Sequence, residues 1–372
     1  MDSYQLRSEI PTAGASYYLQ SNLVVGQNAV VTSMFREGRL LSTRSEPCDA
    51  TQVPDILRAR VREVHEGYRT RITSLLALRD RIRDGVDGRA HLRLGEALYQ
   101  QRLHRESMSE IVRAVKLGTE TPLGYSILGN CLLAVDDSEK ALKAFHKGLE
   151  SAPRYPDLHN DLGVAMLMLD RCGEAVQAFE RALELNPYYL AAVLNLGIAL
   201  TRNVVIKQDY ELSRDLTPRL ARALDMIIQL NPALDGESYR SAVRAAKEER
   251  YDVVYRSLVD ISDSQKRVPE DNLALELYLL LKFPPASLSE NDVDTYIERV
   301  RRAIDANPGW ADLLNTLGIL YTAKCKLFID RANGAFQDAL RINPEFAQAQ
   351  KNLKLVSNDR QGIHFLLKAL LD

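Results

Sequence analysis

Four cysteines and six histidines are the residues of this 372-residue chain best suited to nucleophilic or metal chemistry. Cys48, Cys131, Cys172 and Cys325 stand far apart, with no CxxC and no second pair at the short intervals that zinc ligands use. A disulfide framework is equally unsupported, so free thiols in a reducing compartment are expected. No histidine adjoins Cys131 or Cys172 to form a thiolate–imidazole pair. His91 and His159 are separated by two steps of 34 residues. A shared place in a repeating unit points to a bulky side chain filling a core, not to a ligand. A phosphate-binding glycine loop, HExxH and GxSxG are all missing. The chain is expected to be no enzyme and to need no cofactor or metal.

The strongest signal in the chain is a period. Leu94-Gly95, Leu128-Gly129, Leu162-Gly163 and Leu196-Gly197 recur at intervals of 34 residues, the mark of a helical solenoid. Apolar residues follow at three- and four-residue steps, as in Leu162, Ala165, Met166 and Leu169, then Ala175, Ala178, Phe179 and Ala182. Gly163 and Ala175 allow two helices to approach closely, Phe179 fills the space between units, and Asn186-Pro187 ends the second helix. One such unit cannot bury its apolar face alone and must stack on its neighbours. With His159, Leu162, Gly163, Met166, Ala175, Phe179, Ala182 and Pro187 in place, the unit resembles a tetratricopeptide repeat. The resemblance covers about 88–357, most clearly 122–189 and 310–344.

The fold class expected is therefore mainly α: a tetratricopeptide-like solenoid behind a small N-terminal antiparallel β-meander and a long helix. Residues 1–16 show no periodicity. Ser16–Val25, Ala29–Phe35 and Arg39–Arg44 read as three strands, with Gly26-Gln27-Asn28 and Glu37-Gly38 as turns. So small a sheet needs a cover, and a helix over 54–84 carries an apolar stripe from Leu57 to Ile82 broken at Arg71. That helix could cover the sheet, cap the repeats or pair as a coiled coil. The domains expected are 1–87, a solenoid of about seven helical pairs over 88–357, and a capping helix over 358–372. Repeats one to three fall at 88–121, 122–155 and 156–189. The fourth holds an insertion within Val204–Thr217, read as an extended loop. The fifth (235–268) is degenerate, the sixth pairs Leu273–Phe283 with Val293–Ala306 across Pro284-Pro285-Ala286-Ser287, and the seventh spans 310–344. One helix starts at Ala347–Ser357, and a last, very apolar one covers Gln361–Leu371.

Formal charge is −2 with 26% charged residues, which gives no whole-chain attraction to nucleic acid. No apolar run approaches 18 residues and the N-terminus has no apolar leader-type segment, so a cytoplasmic protein without membrane insertion is expected. The resemblance implies a concave groove lined by the first helix of each unit. Positions that clamp a terminal carboxylate in chaperone-binding members hold Ser126, Asn130, Asp161, Leu190 and Asn195 here, and the cations are missing. What remains is an apolar trough of Leu133, Val164, Leu167, Met168, Leu194 and Ile198, with Asn130 and Asn160 as polar handles. Such a trough suits an amphipathic helix of a partner protein or peptide, unless the 54–84 helix or a neighbouring molecule fills it. The function expected is a non-catalytic adaptor or scaffold. Self-assembly into homo-oligomers, through solenoid stacking, 16–84 or 361–372, is the alternative.

Overall fold

The structure is a computed structural model describing residues 4–12, 16–265, 273–283, 288–306 and 310–371. The chain divides into two compact units, residues 1–270 and 271–372. The Pro284–Ser287 break, the Asn307-Pro308 stop and residues 1–3 and 13–15 of the aperiodic N-terminus lie outside the described residues.

The first unit begins with four strands, not three: β1 (Gln5–Pro11), β2 (Ser16–Val24), β3 (Ala29–Arg36) and β4 (Arg39–Pro47), antiparallel in the order β1-β2-β3-β4. β1 escapes a search for apolar alternation because only Ile10 among its residues is a buried apolar side chain. Its inward Ser8 is satisfied instead by His65 Nε2 at 2.9 Å. Between β3 and β4, Glu37 and Gly38 both take positive φ (51° and 77°), the primed turn whose twist matches a hairpin. Helix α1 (Pro54–Ile82) lies across β1, β2 and β3. Its buried stripe runs through Leu57, Val61, Tyr68, Ile72 and Leu75. Ile72 takes over where Arg71 breaks the expected spacing, so α1 covers the sheet without a gap.

Three helical pairs follow: α2 (Gly88–Gln100) with α3 (His104–Lys116), α4 (Pro122–Leu133) with α5 (Ser138–Ser151), and α6 (Pro156–Met168) with α7 (Cys172–Leu185). The glycines act as the period implies. A Cβ on Gly129 would sit 2.2 Å from Phe145 Cε1, and one on Gly163 would sit 2.6 Å from Phe179 Cε1. Each pair also turns through one left-handed residue at the same place: Arg102, Asp136 and Asp170, with φ near 60°. Hydrogen bonds to two buried glutamates fix the sheet and α1 to the first pair. Tyr17 Oη and Arg36 Nη1 both donate to Glu106 at 2.5 Å, while Arg79 Nε and His91 Nδ1 meet Glu110 at 3.0 and 2.7 Å. His91 is thus in a core, as its repeat position suggests, but as half of a polar pair.

Regularity ends at the fourth repeat. α8 (Leu190–Ile206) runs 17 residues, followed by the short α9 (Tyr210–Arg214) and α10 (Leu216–Leu230). The expected extended loop is therefore mostly helix. Its one bend is secured by Asn203, whose side chain donates to Asp209 O at 2.7 Å and accepts from Asp209 N at 3.1 Å. The degenerate fifth unit is α11 (Glu237–Lys247) and α12 (Tyr251–Gln265). α12 packs against α8, burying Val254, Leu258 and Ile261. Gly197 accordingly faces Leu258 of α12, where the three earlier glycines face the second helix of their own pair.

The second unit holds α13 (Leu273–Lys282), α14 (Glu290–Ala306), α15 (Ala311–Ile342) and α16 (Ala347–Leu371). Two expectations change here. The seventh pair is one continuous helix of 32 residues. The segment Thr322–Arg331, where a turn was expected, has no Gly, Pro or Asn to stop a helix, and Lys326 pairs with Asp330 one turn on. Gly318 then has no close neighbour to accommodate. Likewise 347–371 is a single helix, carried through Ser357–Gln361 by Arg360 Nε to Asp330 at 2.6 Å and Ser357 Oγ to Asn333 at 3.3 Å.

Candidate functional site: the concave trough

Helices α4, α6 and α8 are the first members of successive repeats and lie side by side. Their inner faces are tied by hydrogen bonds that repeat with the solenoid. Ser126 Oγ and Asn130 Nδ2 donate to Asp161 Oδ2 at 2.7 and 2.9 Å, and one repeat later Asn195 Nδ2 donates to Asn160 Oδ1 at 2.9 Å. Burial pushes the Asp161 carboxyl up to about 6, against the opposing pull of Ser126 and Asn130. Tyr189 is also shifted up, by burial first and then by Asp157 and Asp161 nearby.

Beside this ladder a cavity of about 760 Å³ opens along α6 and α8, with Val164, Leu167, Met168, Leu194 and Ile198 among its lining. Its size falls in the range of binding clefts. The floor is rigid, since Leu194 and Ile198 are only 2% and 6% exposed and belong to the core shared with α12. Val164 and Leu167 are half-buried, and Met168 is 49% exposed. α12 forms the opposite wall with Tyr255, Val259, Ser262 and Asp263. At one end Arg202 Nε meets Asp170 Oδ1 at 3.0 Å, and its guanidinium lies over the Tyr255 ring at 5.7 Å.

Of the eight residues the sequence proposes, five come together here. Leu133 does not: it is buried in the core shared by its repeat and the next, with Phe145, Leu158 and Leu162. Asn130 and Asn160 do not line the cavity; their amides are engaged in the ladder. α1 does not enter the trough, being spread over the sheet. Sequence reasoning missed Tyr189 and the whole α12 wall. The spacing Tyr255, Val259, Ser262 held the wall's signal, but without a Leu-Gly pair nothing indicated where that helix lies.

Among the described residues, no cluster of three or more His, Cys, Asp or Glu could hold a metal ion. Cys131 and Cys172 are buried, and burial pushes their thiols up to about 12 and about 11, so both are poor nucleophiles. His159 is half-buried and its Nε2 meets Pro153 O at 2.9 Å. No described helix is long and apolar enough to cross a membrane.

Residues 128–189 match the tetratricopeptide repeat family. No curated protein matches the chain. Similar solved structures include the protein described as YrrB, a TPR protein with an unusual peptide-binding site: 18% identity, 55% of this chain and 97% of that one, TM-score 0.37. Others are MamA from Desulfovibrio magneticus RS-1 (18%, 46% and 97%, TM-score 0.37) and pilF of Pseudomonas aeruginosa (19%, 63% and 96%, TM-score 0.36).

Proposed function

We propose that this tetratricopeptide repeat protein is a non-catalytic adaptor that holds an amphipathic helix of a partner protein in the trough between α6, α8 and α12. One observation carries the reading: a cleft of about 760 Å³ with a rigid aliphatic floor and an adaptable, half-exposed methionine at its lip. A helix presenting apolar residues at i, i+3 or i+4, and i+7 matches the stripe Val164, Leu167, Met168 and, across the cleft, Leu194 and Ile198. Met168 can repack around side chains of different shape. The test is a pull-down from the native host with wild type and the Val164→Gln/Met168→Gln double variant. Both sites are at least partly exposed, so the variant is expected to fold with unchanged circular dichroism and to lose its partner. A folded variant that recovers the same proteins in the same yield removes the trough from consideration.

A second reading, self-association, is favoured by α16, where Phe365 is 68% exposed and Leu366 and Leu370 are also exposed. Light scattering across a wide concentration range separates the two, since a strict monomer leaves only the adaptor.

A further inference from the structure

Among the described residues, the helices around the trough carry more acidic than basic side chains. Helices α4, α6 and α8 contain a single Lys or Arg between them, Arg202, against Asp157 and Asp161. That one cation is committed: it pairs with Asp170 at 3.0 Å and rests on Tyr255. The lining itself holds two carboxylates, Asp170 and Asp263, against one guanidinium. α12, the far wall, carries Asp252, Asp260 and Asp263 against Arg256 alone, and Arg256 pairs with Asp252. Tyr189 in the lining is held protonated more firmly by burial first, and then by Asp157 and Asp161. An apolar floor flanked by acids repels an acidic helix and attracts a basic one.

We infer that the occupant of the trough is a cationic amphipathic helix, whose aliphatic stripe lies on Leu167, Leu194 and Ile198 and whose Lys and Arg residues flank that stripe toward Asp157 and Asp263. This rests on the adaptor reading above and specifies its partner. The half-buried ring of Tyr189 in the lining gives a guanidinium a second kind of contact. Such binding is steered by charge and is therefore salt-sensitive, unlike a purely apolar docking.

The test uses the full chain and two synthetic helical peptides with one apolar stripe in common, one bearing Lys and Arg on its polar face and the other Glu. Binding is read by fluorescence anisotropy at low and high salt. The cationic peptide should bind at least about tenfold tighter at low salt, equivalent to about 1.4 kcal/mol, and the gap should narrow as salt rises. Asp157→Asn with Asp263→Asn should narrow it further without changing circular dichroism. Equal binding of the two peptides, or preference for the acidic one, with both abolished by Val164→Gln/Met168→Gln, overturns the charge inference and leaves the trough standing. Failure of both peptides to bind, or binding indifferent to that double variant, overturns the adaptor reading and this inference with it.

Discussion

Asp161 offers a quantitative handle on how the solenoid is stitched together. Its carboxyl is raised from 3.8 to about 6, burial being the main cause. A carboxyl whose folded pKa exceeds its unfolded one stabilises the fold when protonated. That contribution is present in full below pH 3.8 and is lost as pH rises through 6. The shift is about two units at about 1.4 kcal/mol each, so the ionised form costs on the order of 3 kcal/mol at pH 8. Asp161→Asn removes the charge but keeps an oxygen to accept from Ser126 and Asn130. The variant should therefore be more stable than wild type by up to about 3 kcal/mol at pH 8, with the difference shrinking toward zero near pH 4. Urea unfolding followed by circular dichroism from pH 4 to 8, at matched ionic strength, measures that difference directly. Taking the difference between the two proteins cancels other titrations. A difference independent of pH, or a less stable variant at pH 8, would refute the argument that the carboxylate is held against its solvation.

Three further outcomes are expected. Gly163→Ala gains helix propensity of up to about 1 kcal/mol, but its Cβ would stand 2.6 Å from Phe179, so a net loss of about 1–2 kcal/mol should appear in thermal melts, partly recovered by Phe179→Leu. Leu194→Ala should lower stability by about 2–5 kcal/mol, whereas Met168→Ala, at a half-exposed site, should change stability by roughly 0.5 kcal/mol or less while weakening peptide binding. His65, bonded between Ser21 and Ser8, has its pKa lowered by burial. Its neutral form supports the sheet above pH 6.5, and that support is lost as pH falls through the lowered value, so an acid titration by circular dichroism should show a limb that His65→Gln flattens.

What the amino-acid order reveals is what repeats. Leu-Gly at 34-residue steps, with Phe145 and Phe179 following, places six helices and their close approaches because one local geometry is used three times. Where packing departs from the period, the letters mislead. The Leu196-Gly197 pair promises contact with the second helix of its own repeat, yet α8 is long enough to seat α12 there. Leu317-Gly318 suggests another hairpin, but uninterrupted helix formers run through the expected turn. β1 was hidden because its inward face is secured by a serine–histidine bond and one isoleucine, which alternation of apolar residues does not register. At the trough, the inner faces of α6 and α8 were legible from repeat positions. The wall opposite was not, since it comes from a helix placed by tertiary contact.

That wall has a consequence for what can be bound. In a regular stack each added repeat lengthens the path along which an extended polypeptide can lie. α12, seated on α8, adds a wall beside the inner surface of this one. For the adaptor proposed above, a helix lying in the trough is flanked by Tyr255 and Val259, so its affinity would depend on how well one short segment fits between two walls.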